Sequence, residues 1–389
     1  MTVLTLEPAR WADTIESSGD CLFSPQSAKN VEDVLSKTST RKHQKNLLKA
    51  VEPFIMKMLQ NPVGISILTS LVKYGTVTTV ASITEVVGEE CEKVLGGANA
   101  SAEMCEAPLG ILLERIIYRE DCTGECRINL IKRLKCLEHC SLMGSEMFLL
   151  ATARLIILDR EFAVSVCSST KAKEAFLKLS LSSSRKNTVV RFCECVLYMP
   201  HTKDEMLTEV CSAFIFTALS TLYAADSSVR PWKEVTLLLA SRGSTTVVRD
   251  MVKLFSQWPD ILIRSKNEYY AKVMAHLLAR SQESSDGVVL IKVLFQTKKD
   301  FDERLTSRKS SQLQLLAAIA EKPAYVAALS EKFGESLEKK LLAAAVRYRN
   351  TTKPRALATK EVLLQRLDKI RSFPSADSSP GKALKRRRE

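Results

Sequence analysis

Cysteine and histidine are the residues of this chain whose spacing comes nearest to a reactive or metal-binding pattern. Cys122 and Cys126 are four residues apart, and Cys136, His139 and Cys140 follow within one helical turn. Thiolates and imidazoles at such intervals suit a structural zinc ion. A second reading fits equally well. On a helix, Cys136, His139 and Cys140 share one face beside Leu134 and Leu137, where thiols serve as small core hydrophobes. Both readings stay open, and no cofactor is assigned. The 11 cysteines are an odd number. The first twenty residues carry charges and a proline where the apolar run of a leader would sit, so free thiols in a reducing compartment are expected.

Catalytic constellations are missing. The four histidines (His43, His139, His201 and His276) suggest no acid–base pair, and the carboxylates are scattered over helical faces. There is no Gly-x-Ser-x-Gly elbow, no Walker loop and no His-Glu-x-x-His. The expectation is a non-enzymatic protein with no small-molecule substrate.

The elements that must position these residues are helices. Glycine (13) and proline (12) are scarce in 389 residues, too few for the frequent turns of a sandwich or barrel. Apolar residues recur at helical spacing, as in Leu47, Leu48, Val51, Ile55, Met58 and Leu59, with Lys and Arg opposite. Short polar breaks such as Asn61-Pro62, Pro200-His-Thr-Lys203 and Ser281-Gln-Glu-Ser-Ser285 separate one helix from the next. No uncharged apolar run approaches the length of a membrane span, so no membrane contact is expected. Many helices of similar length with short links predict an all-α solenoid of stacked repeats. Its expected limits are a loose arm or short helix over 1–28, the array over 29–371, and a disordered basic tail over 372–389.

Charge is concentrated at the C-terminal end. The net charge is +13, and Glu331–Glu389 holds 16 Lys/Arg against 7 Asp/Glu, a net of +9. Such an end suits polyanions or a nuclear import receptor. Lys382, Lys385, Arg386, Arg387 and Arg388 form the predicted import signal. Arg347, Tyr348 and Arg349 combine cations with a ring able to stack on a base.

One phrase recurs along the chain: a position that is often small, two variable positions, two apolar residues, a polar or basic residue, and two more apolar residues a turn later. It occurs at Gly64–Thr76, Leu109–Ile117, Lys186–Glu194, Ser244–Val252 and Gly287–Phe295, with room for a degenerate copy around Gly144–Leu158. The apolar pairs share one stripe and the second, third and sixth positions another, which a stack of helices would join into a binding surface.

In this phrase the chain resembles the Pumilio (PUF) repeat family, and Leu71–Thr76 (LVKYGT) is similar to its nucleolar, pumilio-like branch. The resemblance implies three-helix repeats, RNA as partner, and residues at the second, third and sixth positions facing it. Here those residues make no complete base-reading trio. The implied contacts are therefore largely to the RNA backbone, through Asn187, Arg191, Thr245, Arg249 and Lys292. The resemblance further implies a nuclear, nucleolar protein acting on pre-ribosomal RNA in ribosome biogenesis or RNA processing. The alternative is a HEAT- or armadillo-type scaffold for protein partners, built of two-helix hairpins and without direct nucleic-acid binding.

Overall fold

The computed structural model describes residues 2–37, 41–95, 106–119, 121, 124–182, 185–198, 205–225, 233–258, 260–281, 284–334, 339–341, 343–344 and 347, and no strand occurs among them. The predicted tail 372–389, with Lys382, Lys385, Arg386, Arg387 and Arg388, lies outside the described residues, as do Tyr348, Arg349 and Cys122. The chain divides into two compact units, Met1–Val247 and Val248–Glu389.

The first unit contains α1 (Trp11–Ser17), α2 (Pro25–Lys37), α3 (Arg41–Val51), α4 (Ile55–Leu59), α5 (Pro62–Tyr74), α6 (Val77–Leu95), α7 (Glu106–Tyr118), α8 (Glu125–Lys135), α9 (His139–Gly144), α10 (Glu146–Leu158), α11 (Arg160–Ser168), α12 (Thr170–Ser180), α13 (Lys186–Tyr198), α14 (Glu205–Ala225) and α15 (Lys233–Arg242). Side-chain caps start several of them. Asn61 accepts from the Val63 and Gly64 amides, Ser145 from Met147, Asp159 from Phe162 and Ser169 from Ala172. Each satisfies amides that the first turn leaves without partners. Asp159 also receives a hydrogen bond from Lys135. That bond, with the Phe162 amide, holds its carboxyl below the usual aspartate range.

The helices stack in a row: α2 packs against α5, α5 against α7, α7 against α10, α10 against α13 and α13 against α15. Beside it α9 packs against α12. The steps from α2 to α5, from α7 to α10 to α13 and from α9 to α12 are one helix in three, while those from α5 to α7 and from α13 to α15 are one in two. Two-helix hairpins would stack alternate helices throughout. Gly110 permits close approach within the row, since a Cβ there would lie 2.8 Å from the Glu146 carbonyl oxygen. Phe176 of α12 packs on Phe192 of α13 and Phe214 of α14, with ring centroids 5.3 and 5.4 Å apart.

Of the two forms expected for the N-terminal segment, the structure has the short helix, α1. Leu4, Trp11, Ile15, Cys21 and Leu22 are buried. The Leu4 amide donates to Ser27 Oγ at 2.9 Å, and Asn30 Nδ2 donates to the Leu4 carbonyl at 2.7 Å. The segment's polar residues disguised five apolar anchors whose neighbours include α2, α3 and α5.

The second unit contains α16 (Thr245–Ser256, which begins just before the division), α17 (Ile261–Arg264), α18 (Glu268–Arg280), α19 (Ser284–Leu294), α20 (Lys298–Thr306), α21 (Ser310–Ala320) and α22 (Pro323–Phe333). The step of three recurs, with α18 against α21 and α19 against α22. Phe295 and Phe301 meet with centroids 5.3 Å apart, and Phe301 stacks on Phe333 at 6.0 Å.

The copies of the recurring phrase are divided between the two units. Its first three copies are α5, α7 and α13 of the row. The helix that packs on α13 is α15, whereas the fourth copy is α16. The fifth copy, α19, pairs with α22, while α18 and α21 form the neighbouring pair. Any amphipathic helix with paired apolar residues satisfies the phrase, so it does not fix which layer a helix joins.

Several cations are committed to helix ends. Arg119 donates to the carbonyls of Val72 and Gly75 at 2.6 and 3.1 Å, closing the end of α5. Arg127 does the same for Ile116 and Ile117 of α7. Lys322 donates to the Ser281 carbonyl, and Arg347 to the Leu305 carbonyl at 2.8 Å. The last carbonyls of a helix carry partial negative charge, which these side chains offset.

Candidate nucleic-acid interface

A set of polar side chains in the first unit lies across α7, α10 and α13. Glu114, the sixth residue of its phrase, is only 1% exposed. Arg154 of α10 donates to its Oε1 through Nη2 at 3.0 Å and Nε at 3.2 Å. Arg191 of α13 donates to its Oε2 at 2.5 Å. Three successive helices of the row thus meet on one carboxylate. A buried carboxylate needs such charge-assisted bonds to offset its desolvation.

The Arg191 side chain is 36% exposed, so part of its charge faces water. The Arg154 guanidinium lies 4.6 Å from the centroid of the Tyr118 ring, and Tyr118 itself is 53% exposed. A cation against one face of a half-exposed tyrosine leaves ring surface to receive a planar group. Cys195 completes the set, with Sγ 3.9 Å from Glu114 Oε1. Burial first, then the Glu114 charge, raises its thiol pKa, so it remains a neutral thiol here.

Asn187 lies one turn before Arg191 on α13 and is exposed. Its neighbour Thr188 hydrogen-bonds Glu146. Thr245 is exposed at the start of α16. Arg249 of α16 is 44% exposed and 3.8 Å from Asp250. Lys292 of α19 is exposed. Arg249 and Lys292 belong to helices of the second unit. Arg347 is engaged at the Leu305 carbonyl.

The thiol and imidazole set takes a simple form. Cys140 donates to Glu138 at 3.3 Å, His139 meets the Phe162 ring edge-on, and Cys126, Cys136 and Cys140 are free thiols. Among the described residues no group of three or more His, Cys, Asp or Glu side chains is arranged to hold a metal ion. No helix among them is long and apolar enough to cross a membrane.

Glu114, Arg154 and Tyr118 did not stand out in the sequence as an interface. A signal was present: Leu149–Ile157 repeats Leu109–Ile117 forty residues on, as Leu, four residues, Glu or Arg, one residue, then Ile-Ile. That register puts Arg154 beside Glu114, and Tyr118 one turn beyond Glu114.

These units define an all-α protein of stacked helical repeats with a cationic, aromatic-bearing face. No family model and no curated protein matches the chain. Among solved structures it is similar to a Puf3 RNA binding domain bound to a Cox17 RNA 3' UTR recognition sequence, at 12% identity and TM-score 0.49, over 93% of this chain and 96% of that one. It is also similar to PUF-6 in complex with 5BE13 RNA, at 12% identity and TM-score 0.38, over 92% and 99%. A third is the RNA-binding domain of yeast Puf5p bound to SMX2 RNA, at 11% identity and TM-score 0.31, over 88% and 98%.

Proposed function

We propose that this protein is a non-enzymatic RNA-binding repeat protein that holds unpaired RNA mainly by its backbone. The observation that carries this reading is the Tyr118–Arg154–Glu114–Arg191 set. It offers the partly exposed Arg191 cation for phosphate and a ring face for a base, without a hydrogen-bonding trio to select which base. Asn187, a turn from Arg191, is placed to add a polar contact. Arg249 and Lys292 are exposed cations able to make further phosphate contacts. The test is binding of the full chain to oligouridylate and to a mixed-sequence RNA as salt is raised. Similar affinities for both, falling steeply with salt, are expected. No binding at low ionic strength would sink the proposal.

The finer reading is a nuclear, nucleolar protein acting on pre-ribosomal RNA in ribosome biogenesis or RNA processing. Its support is the resemblance of Leu71–Thr76 and the basic run Lys382, Lys385, Arg386, Arg387 and Arg388, which suits an import receptor. A fluorescently tagged chain should concentrate in the nucleus, and replacing those five residues by alanine should release it to the cytoplasm. Unchanged nuclear accumulation would overturn the assignment of this run.

A further inference from the structure

Helix α3 carries a second cationic surface, away from the carboxylate of Glu114. From Val34 to Val51 the sequence has no acidic residue, and it has Lys37, Arg41, Lys42, Lys45 and Lys49. Arg41, Lys42, Lys45 and Lys49 all lie on α3 and all are exposed. Among the described residues none of the four makes an ion pair or a hydrogen bond. Elsewhere in this unit cations are put to use, as Arg119 and Arg127 are at helix ends and Arg154 and Arg191 are on Glu114.

The opposite side of α3 is firmly held. Gln44, Leu47, Ala50 and Val51 are buried. Gln44 Nε2 donates to the Tyr74 carbonyl at 3.0 Å, and the helix packs against α1 and α6. The cations therefore stand on a fixed rod. Arg41, Lys45 and Lys49 are four residues apart in turn, so they share a face in steps of about 6 Å. Successive phosphates along an extended strand are separated by a comparable step.

Local stability does not account for the two cations at the start of α3. Arg41 and Lys42 occupy the first two positions of α3, and its first turn has no acidic residue. Cations there oppose the helix dipole. The character of the face also selects its partner. Its exposed residues (Arg41, Lys42, Lys45, Asn46 and Lys49) include no apolar anchor. A protein partner is usually held by a buried aromatic or aliphatic anchor, whereas a nucleic-acid backbone needs only spaced cations.

We propose that the Arg41–Lys45–Lys49 stripe of α3 is a second binding surface for the phosphate backbone of an RNA strand. The inference rests on the RNA-binding reading above and adds a site to it. The experiment is fluorescence anisotropy of the full chain with labelled 30-nucleotide oligouridylate across a salt series. The variant Arg41→Gln/Lys45→Gln/Lys49→Gln should bind about 10-fold or more weakly near 0.1 M salt. Its slope of log affinity against log salt should be shallower by about 2, at about 0.7 per phosphate lost. Its melting temperature should be little changed, because all three side chains are exposed and the loss of Arg41 from the first turn offsets that of Lys49 from the last. Equal affinity and slope in variant and wild type would overturn the α3 site and leave the RNA-binding reading intact. Failure of the wild type to bind the probe would overturn both.

Discussion

Replacing Arg304 by alanine is expected to destabilise the second unit by about 3 kcal/mol, more than any exposed substitution near it. Arg304 is 2% exposed in the middle of α20. Its guanidinium donates to the Ser265 carbonyl at 3.1 Å, to Ser265 Oγ at 2.5 Å and to Gln312 Oε1 at 2.8 Å. It also lies 5.3 Å from the Phe295 ring centroid. One side chain thus ties the end of α17 to α20 and α21. Burial pushes its pKa down to about 10, but it stays charged at neutral pH. The alanine variant removes the donors and leaves the Ser265 and Gln312 oxygens with too few partners in a dry site. Arg304→Lys should recover little, since one ammonium cannot reproduce the planar fork. Urea unfolding of wild type, Arg304→Ala, Arg304→Lys and the exposed control Arg308→Ala measures this. A midpoint for Arg304→Ala within error of Arg308→Ala would refute the account.

Tyr118→Ala is expected to weaken binding of single-stranded RNA by about 10-fold, within the range for losing one base–aromatic stack. Fully paired duplex RNA should be much less affected, because its bases are already stacked. Tyr118→Phe should bind nearly as well as wild type, since it keeps the ring. The ring is half-exposed and contributes little to the core, so the fold should tolerate all these changes. Arg191→Gln separates the two contributions. It should flatten the salt dependence by about one phosphate contact and should lower affinity for single strands and duplex together. Anisotropy titrations with matched single-stranded and duplex probes decide the matter. Equal loss for both probes in Tyr118→Ala would show that the tyrosine does not stack on a base.

The two sites differ in how much of each was legible beforehand. The sixth position of the phrase marked Arg191 as a cation of the row, and the structure places it there. The same position in α7 is Glu114, which looked like a departure from the pattern. It is instead the carboxylate on which Arg154 and Arg191 converge. A phrase that records spacing on one helix carries no information about what neighbouring helices bring to the same point. Arg347 shows the converse: a cation beside a ring reads as a ligand contact, yet its guanidinium closes the end of α20.

Sequence alone determined that this chain is helical, that it is built from repeated amphipathic segments and that it carries excess positive charge. Those properties follow from composition and from a periodicity of three to four residues, which any short window displays. The tertiary structure decided which helix stacks on which within each unit. It also decided that Leu4, Trp11 and Leu22 join a core, and which cations are already bound to carbonyls or carboxylates. Those outcomes depend on contacts between residues about forty positions apart. Such contacts form only when whole helices dock, because a half-apolar helix is compatible with several neighbours until close packing selects one.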